Sequence, residues 1–157
     1  MQKDCRAPGA PWLTPYLIVK DAKAASEFYQ KAFGLTQKEA STDDKGHVMH
    51  VELTYHDALI MLGAECTYDG IEMKSPASLK VHSPIGLYLY CEDVDAFHKR
   101  AVAAGATCLM APTDMFWGDR YCKLRDPDGH IWSFGTHTGK MSENPYCCGN
   151  KKSCDRE

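Results

Sequence analysis

The sequence predicts an α+β fold: two βαβββ modules in one chain, forming curved mixed sheets around a cup. Three observations predict it. A strand, an aspartate cap, an apolar-faced helix and a closing glycine occur in that order near residue 13, and the same order returns 72 residues later, Asp21 matching Asp93 and Val19 matching Cys91. Each helix is followed by three further strand-like stretches separated by turn residues. Finally, 157 residues with 44% apolar and 25% charged side chains suit one globular domain with a full core, and are too few for two well-separated ones.

The elements follow in order. Leu13 to Val19 reads as a strand, and Asp21 can accept hydrogen bonds from the free N–H groups opening the next helix. Ala25, Phe28, Tyr29, Ala32 and Phe33 fall on one helical face, and Gly34 is placed to end the helix. Leu35 to Ser41 is the next strand, with a turn at Asp43-Asp44-Lys45-Gly46. From His47 to Tyr55 the chain alternates: Met49, Val51, Leu53 and Tyr55 share one face, Val48, His50, Glu52 and Thr54 the other. Ala58 to Leu62 closes the first module. In the second, Gly86 to Cys91 is a strand, Asp93 the cap, and Val94, Phe97, Ala101 and Ala104 the helical face ending at Gly105. Thr107 to Ala111, Arg120 to Arg125 and His130 to Phe134 are the remaining strands, the last two joined by the turn Asp126-Pro127-Asp128-Gly129. This divides the chain into a tail (1–10), one domain (11–138, modules 11–63 and 85–138 with linker 64–84) and a polar tail (139–157) holding Cys147, Cys148 and Cys154. Helices covering the outer faces let the inner faces enclose a cup; a flat sandwich with a filled interior fits the same pattern.

Several function classes are set aside by composition. Net charge is −3 with both signs dispersed, so no basic footprint for nucleic acid stands out. No apolar run approaches the ~18 residues of a membrane span, and the start Met1-Gln2-Lys3-Asp4 lacks the apolar stretch of a secretory signal. The expected location is the cytoplasm, where the eight cysteines are read as reduced thiols, several of them small buried hydrophobes.

Several segments together resemble the vicinal oxygen chelate superfamily, which includes glyoxalase I, bleomycin-resistance proteins and extradiol dioxygenases, and within it the PhnB-like branch. These are Leu13-Thr14-Pro15-Tyr16-Leu17, the helix from Glu27 to Gly34, Gly46 to Leu53, Tyr90 to Ala96, Ala104-Gly105-Ala106, Phe116-Trp117-Gly118-Asp119-Arg120 and Arg125 to Trp132. The resemblance spans about residues 11 to 138. It implies the same two-module fold and, in metal-dependent members, four ligands: one early in the first strand and one mid-way along the last strand of each module. Carried over, those positions are Thr14, Met61, Gly86 and Ser133, and each pair is 72 residues apart. None is a good ligand for a divalent ion, since glycine has no side chain, a thioether is soft, and neutral hydroxyls are weak donors. The expectation is a protein with no metal or other cofactor.

Alternation then places Thr14 with Tyr16 and Ile18, Met61 with Leu59, Gly86 with Tyr88 and Tyr90, and Ser133 with Ile131, an aromatic wall carrying hydroxyls. The same side chains could instead pack on one another. Candidate ligand-binding residues are Tyr16, Met61, Tyr88, Trp117, Asp119, Arg120 and Ser133. Arg120 could clamp an anionic group and Trp117 stack on a planar ligand; alternatively Arg120 sits in a structural salt bridge and Trp117 fills the core or a dimer seam. His50 with Glu52 is the candidate catalytic pair, Glu52 orienting His50 as a general base, or else a solvated polar pair. His130 flanks the Asp-Pro-Asp-Gly turn, read as structural, and His47, His56, His82, His98 and His137 show no partner pattern.

Two functions from different classes follow. The first is a protein binding a small, planar organic molecule in a metal-free aromatic cup. The second is an enzyme of lyase or isomerase type, metal-free through His50 and Arg120 or with a displaced divalent metal. A structural domain with a self-filled cup is a third. The resemblance also implies a homodimer.

Overall fold

The computed structural model describes residues 4–68 and 70–143. Its order is β1 (Tyr16–Val19), α1 (Ala22–Phe33), β2 (Thr36–Thr42), β3 (Val48–Tyr55), β4 (Ala58–Ala64), β5 (Cys66–Tyr68), β6 (Ile71–Met73), α2 (Pro76–Leu79), β7 (Gly86–Tyr90), α3 (Val94–Ala104), β8 (Thr107–Asp114), β9 (Asp119–Arg125) and β10 (Ile131–His137). Two open four-stranded mixed sheets, ordered β1-β4-β3-β2 and β7-β10-β9-β8, repeat one topology, with a single parallel pair in each (β1 with β4, β7 with β10). This is the two-module βαβββ fold.

Local chemistry sets the element boundaries. Asp21 accepts from Ala24 N at 3.0 Å and Asp93 from Asp95 N and Ala96 N, both at 3.0 Å, satisfying helix N–H groups that have no partner within the helix. Gly34 and Gly105 end the helices at φ 70° and 115°, a region that disfavours side chains bearing a Cβ. β1 begins at Tyr16, later than the alternation suggested. Residues 64–84, the expected linker between the modules, carry short elements of their own: β4 runs to Ala64, β5 and β6 form a hairpin, and Ser75 caps the single turn of α2. In the tail, Thr138 N and Gly139 N both donate to Gly118 O at 3.0 Å; Cys147, Cys148 and Cys154 lie outside the described residues.

Both sheets send one face into a common core. Val51, Leu53 and Leu62 from the first meet Cys122, Leu124, Trp132 and Phe134 from the second, with α1 and α3 packed on each other above them. Phe33 joins the modules, its ring 5.9 Å from Phe97, 5.1 Å from Trp132 and 4.9 Å from Phe134. A buried carboxylate completes the junction. Asp126 Oδ2 accepts from Tyr29 Oη at 2.6 Å and Trp132 Nε1 at 3.0 Å, while Oδ1 accepts from the Asp128 and His130 backbone N–H groups. Among the described residues no helix packs on the remaining face of either sheet. Among the described residues no helix is long and apolar enough to cross a membrane.

Candidate functional site

The helix-free face inherits its residues from strand alternation. In the first sheet the register pairs Tyr16 with Met61, Met61 with Glu52, and Gly63 with both Ile18 and His50. With Val51 and Leu53 in the core, His50 and Glu52 must point the other way, as the sequence predicts. Their partners differ from the expectation. Glu52 accepts from Lys38 Nζ at 2.8 Å, whereas His50 stacks on Tyr16, ring centroids 5.5 Å apart, with its Nδ1 3.2 Å from the Tyr16 hydroxyl. Glu52 is therefore held by a lysine rather than by His50.

The second sheet is richer. Tyr88 and Tyr90 on β7 face the same way as Ser133 and Gly135 on β10 and Lys123 and Tyr121 on β9. Asp119 opens β9 and is 2% exposed. Its Oδ2 accepts three hydrogen bonds, from Tyr88 Oη at 2.8 Å, Tyr90 Oη at 3.0 Å and Trp117 Nε1 at 3.1 Å. Its Oδ1 is 2.8 Å from Nδ1 of His137, the residue opposite it on β10. Burial alone would raise this carboxyl, but the donors from His137, Tyr88, Tyr90 and Trp117 outweigh burial and hold it below its ordinary value. In return, desolvation and the bond to Asp119 push the Tyr88 phenol well up, and the bond to Asp119 raises Tyr90. Both phenols therefore stay neutral and donate.

Around this carboxylate the aromatic rings form one wall. Tyr88 lies 5.2 Å from Tyr90 and 5.6 Å from Tyr121, and Trp117 meets Tyr121 edge-on at 5.7 Å. Tyr88, Tyr90 and Trp117 are 44%, 59% and 41% exposed, so the wall is open rather than packed against itself, and Tyr16 on the first sheet is 53% exposed. Two glycines let the tyrosines lie flat. A Cβ at Gly63 would meet Tyr16 Cε1 at 2.7 Å, and one at Gly135 would collide with the Tyr88 hydroxyl. Tyr16 over Gly63 and Tyr88 over Gly135 are 72 residues apart, so the repeat preserves this contact.

Arg120 departs from the expected cluster. Neighbouring residues on a strand face opposite sides, so with Asp119 on the open face Arg120 points towards the helices. There its guanidinium donates to both oxygens of Asp95 on α3 and to Asp114 Oδ1, pairs that raise its already high pKa. It is a structural salt bridge, not part of the aromatic wall. The signal for His137 lay in the same alternation: Ile131, Ser133, Gly135 and His137 share one face. Tyr121, 7% exposed and 2.8 Å from Ser133 Oγ, also escaped notice.

The donor chemistry at the four family metal positions does not suit a divalent ion. Thr14 precedes β1, Met61 offers a thioether, Gly86 offers nothing, and the Ser133 hydroxyl is engaged by Tyr121. Among the described residues no group of three or more His, Cys, Asp or Glu side chains could hold a metal ion.

Against known proteins, residues 10–134 match the Glyoxalase/Bleomycin resistance protein/Dioxygenase superfamily. An uncharacterised protein of Mycobacterium bovis is 38% identical over 126 residues, covering 80% of this chain and 82% of that protein. Among solved structures, TioX from Micromonospora sp. ML1 superposes with a TM-score of 0.65 at 23% identity, covering 82% of this chain and 99% of TioX. TnmS3, an antibiotic binding protein from Streptomyces sp. CB03234, gives a TM-score of 0.59 at 21% identity, covering 80% of this chain and 93% of TnmS3. At such identities these structures are similar in fold alone.

Proposed function

The chain belongs to the glyoxalase/bleomycin resistance protein/dioxygenase superfamily, and from that premise we propose that it binds a small, planar organic molecule on its open aromatic face, without a metal ion. One observation carries the reading. Three exposed aromatic side chains, Tyr88, Tyr90 and Trp117, line the open side of the second sheet, and all three have their polar atoms fixed by the buried carboxylate of Asp119. Rings already held in place lose little freedom when a flat ligand stacks on them, so little binding energy is spent on ordering the site. The phenols donate inward to Asp119, which leaves their oxygen lone pairs facing outward as acceptors. Met61 lies beside Tyr16 in the first sheet and Ser133 beside Tyr88 in the second. TnmS3, similar in fold, is an antibiotic binding protein, in keeping with a small organic ligand.

The enzymatic alternative has less support. Its general base was to be oriented by Glu52, which is paired with Lys38, and its anion clamp Arg120 is engaged with Asp95 and Asp114. Placement in the PhnB-like branch, residence in the cytoplasm and pairing into a homodimer belong to the proposed reading. Trp12, Leu13 and Ile85, 77%, 84% and 69% exposed, are the apolar surface a second copy would cover.

A thermal-shift screen of planar aromatic compounds tests the function, followed by titration calorimetry on the parent and on Trp117→Ala. A hit whose affinity falls about tenfold in the variant is expected, since stacking on one aromatic side chain contributes roughly 1–3 kcal/mol. A screen without any hit would overturn the reading. Elemental analysis of protein purified without added metal addresses the cofactor, and stoichiometric divalent metal would refute the metal-free site.

A further inference from the structure

We propose that His137, oriented by Asp119, is the polar anchor of the aromatic site and selects planar ligands carrying an O–H or N–H donor, phenols and enols in particular. This deepens the proposed function and rests on it.

The argument starts from proton inventory. Asp119 is an ionised, acceptor-only group, because the four donors around it hold its carboxyl below the ordinary value. A ring nitrogen 2.8 Å from its Oδ1 must therefore carry hydrogen, which fixes His137 Nδ1 as N–H. In the neutral ring the other nitrogen, Nε2, then holds a lone pair. That is the reverse of the form a free imidazole prefers, so the carboxylate acts as a positioning residue.

The ring is also fixed in place. A Cβ at Gly118 would lie 3.2 Å from His137 Cε1, so the turn closes against the imidazole and needs both the glycine and its φ of 92°. Thr138 and Gly139, directly after His137, donate their N–H groups to Gly118 O. With the Nδ1 side locked, the side chain is still 70% exposed, whereas the side chain of Asp119 is only 3% exposed. The accessible edge is thus the one bearing Nε2. It stands on the same face as Tyr88, Tyr90 and Trp117, whose own polar hydrogens are all committed to Asp119. Around Asp119 the second sheet accordingly offers a bound ring flat apolar surfaces and acceptors, Nε2 and the outward phenol lone pairs, while the Lys123 ammonium on the same face lies four residues further along β9. A ligand hydroxyl satisfies that arrangement, and an ether of the same shape leaves it unmet.

Two measurements test this on the full chain. First, nitrogen-15 correlation spectra of the neutral ring should show His137 in the Nδ1–H form, reverting towards the ordinary Nε2–H form in Asp119→Asn; a neutral parent ring in the Nε2–H form would overturn the proposal. Second, titration of 2-naphthol against 2-methoxynaphthalene should give a roughly fivefold preference for the naphthol, the size of one net hydrogen bond. The naphthol should also shift the His137 Nε2 resonance, and the preference should collapse to about one in His137→Ala. Equal binding of the two probes, or a preference that persists in His137→Ala, would refute the anchor and leave the aromatic site intact. Failure of both probes to bind would refute the anchor together with the site on which it rests.

Discussion

Replacing Asp126 by alanine should cost this protein about 3–5 kcal/mol of folding stability, more than any other single change to a polar side chain described here. The figure follows from what the carboxylate holds. Tyr29 and Trp132 are each 1% exposed, and both donate to Asp126 Oδ2. Without that acceptor their O–H and N–H groups stay buried and unpaired, at roughly 1–3 kcal/mol each. The backbone N–H groups of Asp128 and His130 lose their acceptor in the same step, at roughly 0.5–1.5 kcal/mol each. Removing a buried charge offsets part of the loss. Tyr29→Phe removes one hydroxyl and leaves Asp126 its other three donors, so about 1 kcal/mol is expected. The double variant should cost about 1 kcal/mol less than the two single losses together, because they share one bond. Urea unfolding followed by far-ultraviolet circular dichroism measures all three, given an unchanged m value. If Asp126→Ala lies within about 1 kcal/mol of the parent, the account of this junction as hydrogen-bond-limited is wrong.

Further expectations concern acidity, shape and thiols. Asp119 has a lowered carboxyl pKa in the folded state, so its stabilising contribution is present above the ordinary aspartate value of about 4 and is lost as pH falls through the folded value; Asp119→Asn should flatten the acid limb of a pH–stability profile. Asp128 behaves oppositely: burial raises its pKa, so stability falls as pH rises from the ordinary value through the folded one. Asp128→Asn keeps an acceptor for Lys20 N and should be as stable as the parent at pH 7 or more so, by thermal melting. Gly135→Ala should fold, yet its methyl group would push the Tyr88 ring off Asp119, abolishing planar-ligand binding in the calorimetric assay while far-ultraviolet spectra stay unchanged. Burial pushes the Cys91 thiol up to about 11 and the Cys122 thiol to about 12, so alkylation at pH 8 mapped by mass spectrometry should spare both and label the exposed Cys5 and Cys108.

The repeat made the fold legible. A period of 72 residues fixed which strands correspond, and the capping aspartates and closing glycines placed both long helices. The same rule assigned His50 and Glu52 to the open face but could not name their partners, because Lys38 reaches Glu52 from β2 across an irregular register between Gln37 and Glu39. Reading Trp117, Asp119 and Arg120 as one cluster overlooked that consecutive strand residues diverge. His137 was within reach of the sequence. Six residues back from Arg125 and six on from Ile131, outward from the Asp-Pro-Asp-Gly turn, lie Asp119 and His137, which face each other across the hairpin. The order within residues 64–84 had no such signal, since β5, β6 and α2 are each too short to show periodicity.

The tyrosine laid over glycine occurs twice, but its surroundings differ: a lone imidazole beside Tyr16, a charged and crowded network beside Tyr88. The internal repeat thus carries one contact in two settings, a plain platform over Gly63 and a socket over Gly135. On the proposed reading, a guest stacked on Tyr88 therefore meets a surface with a charged edge and a plain one, so even a ligand symmetric end to end would have its two ends made unequal by the protein.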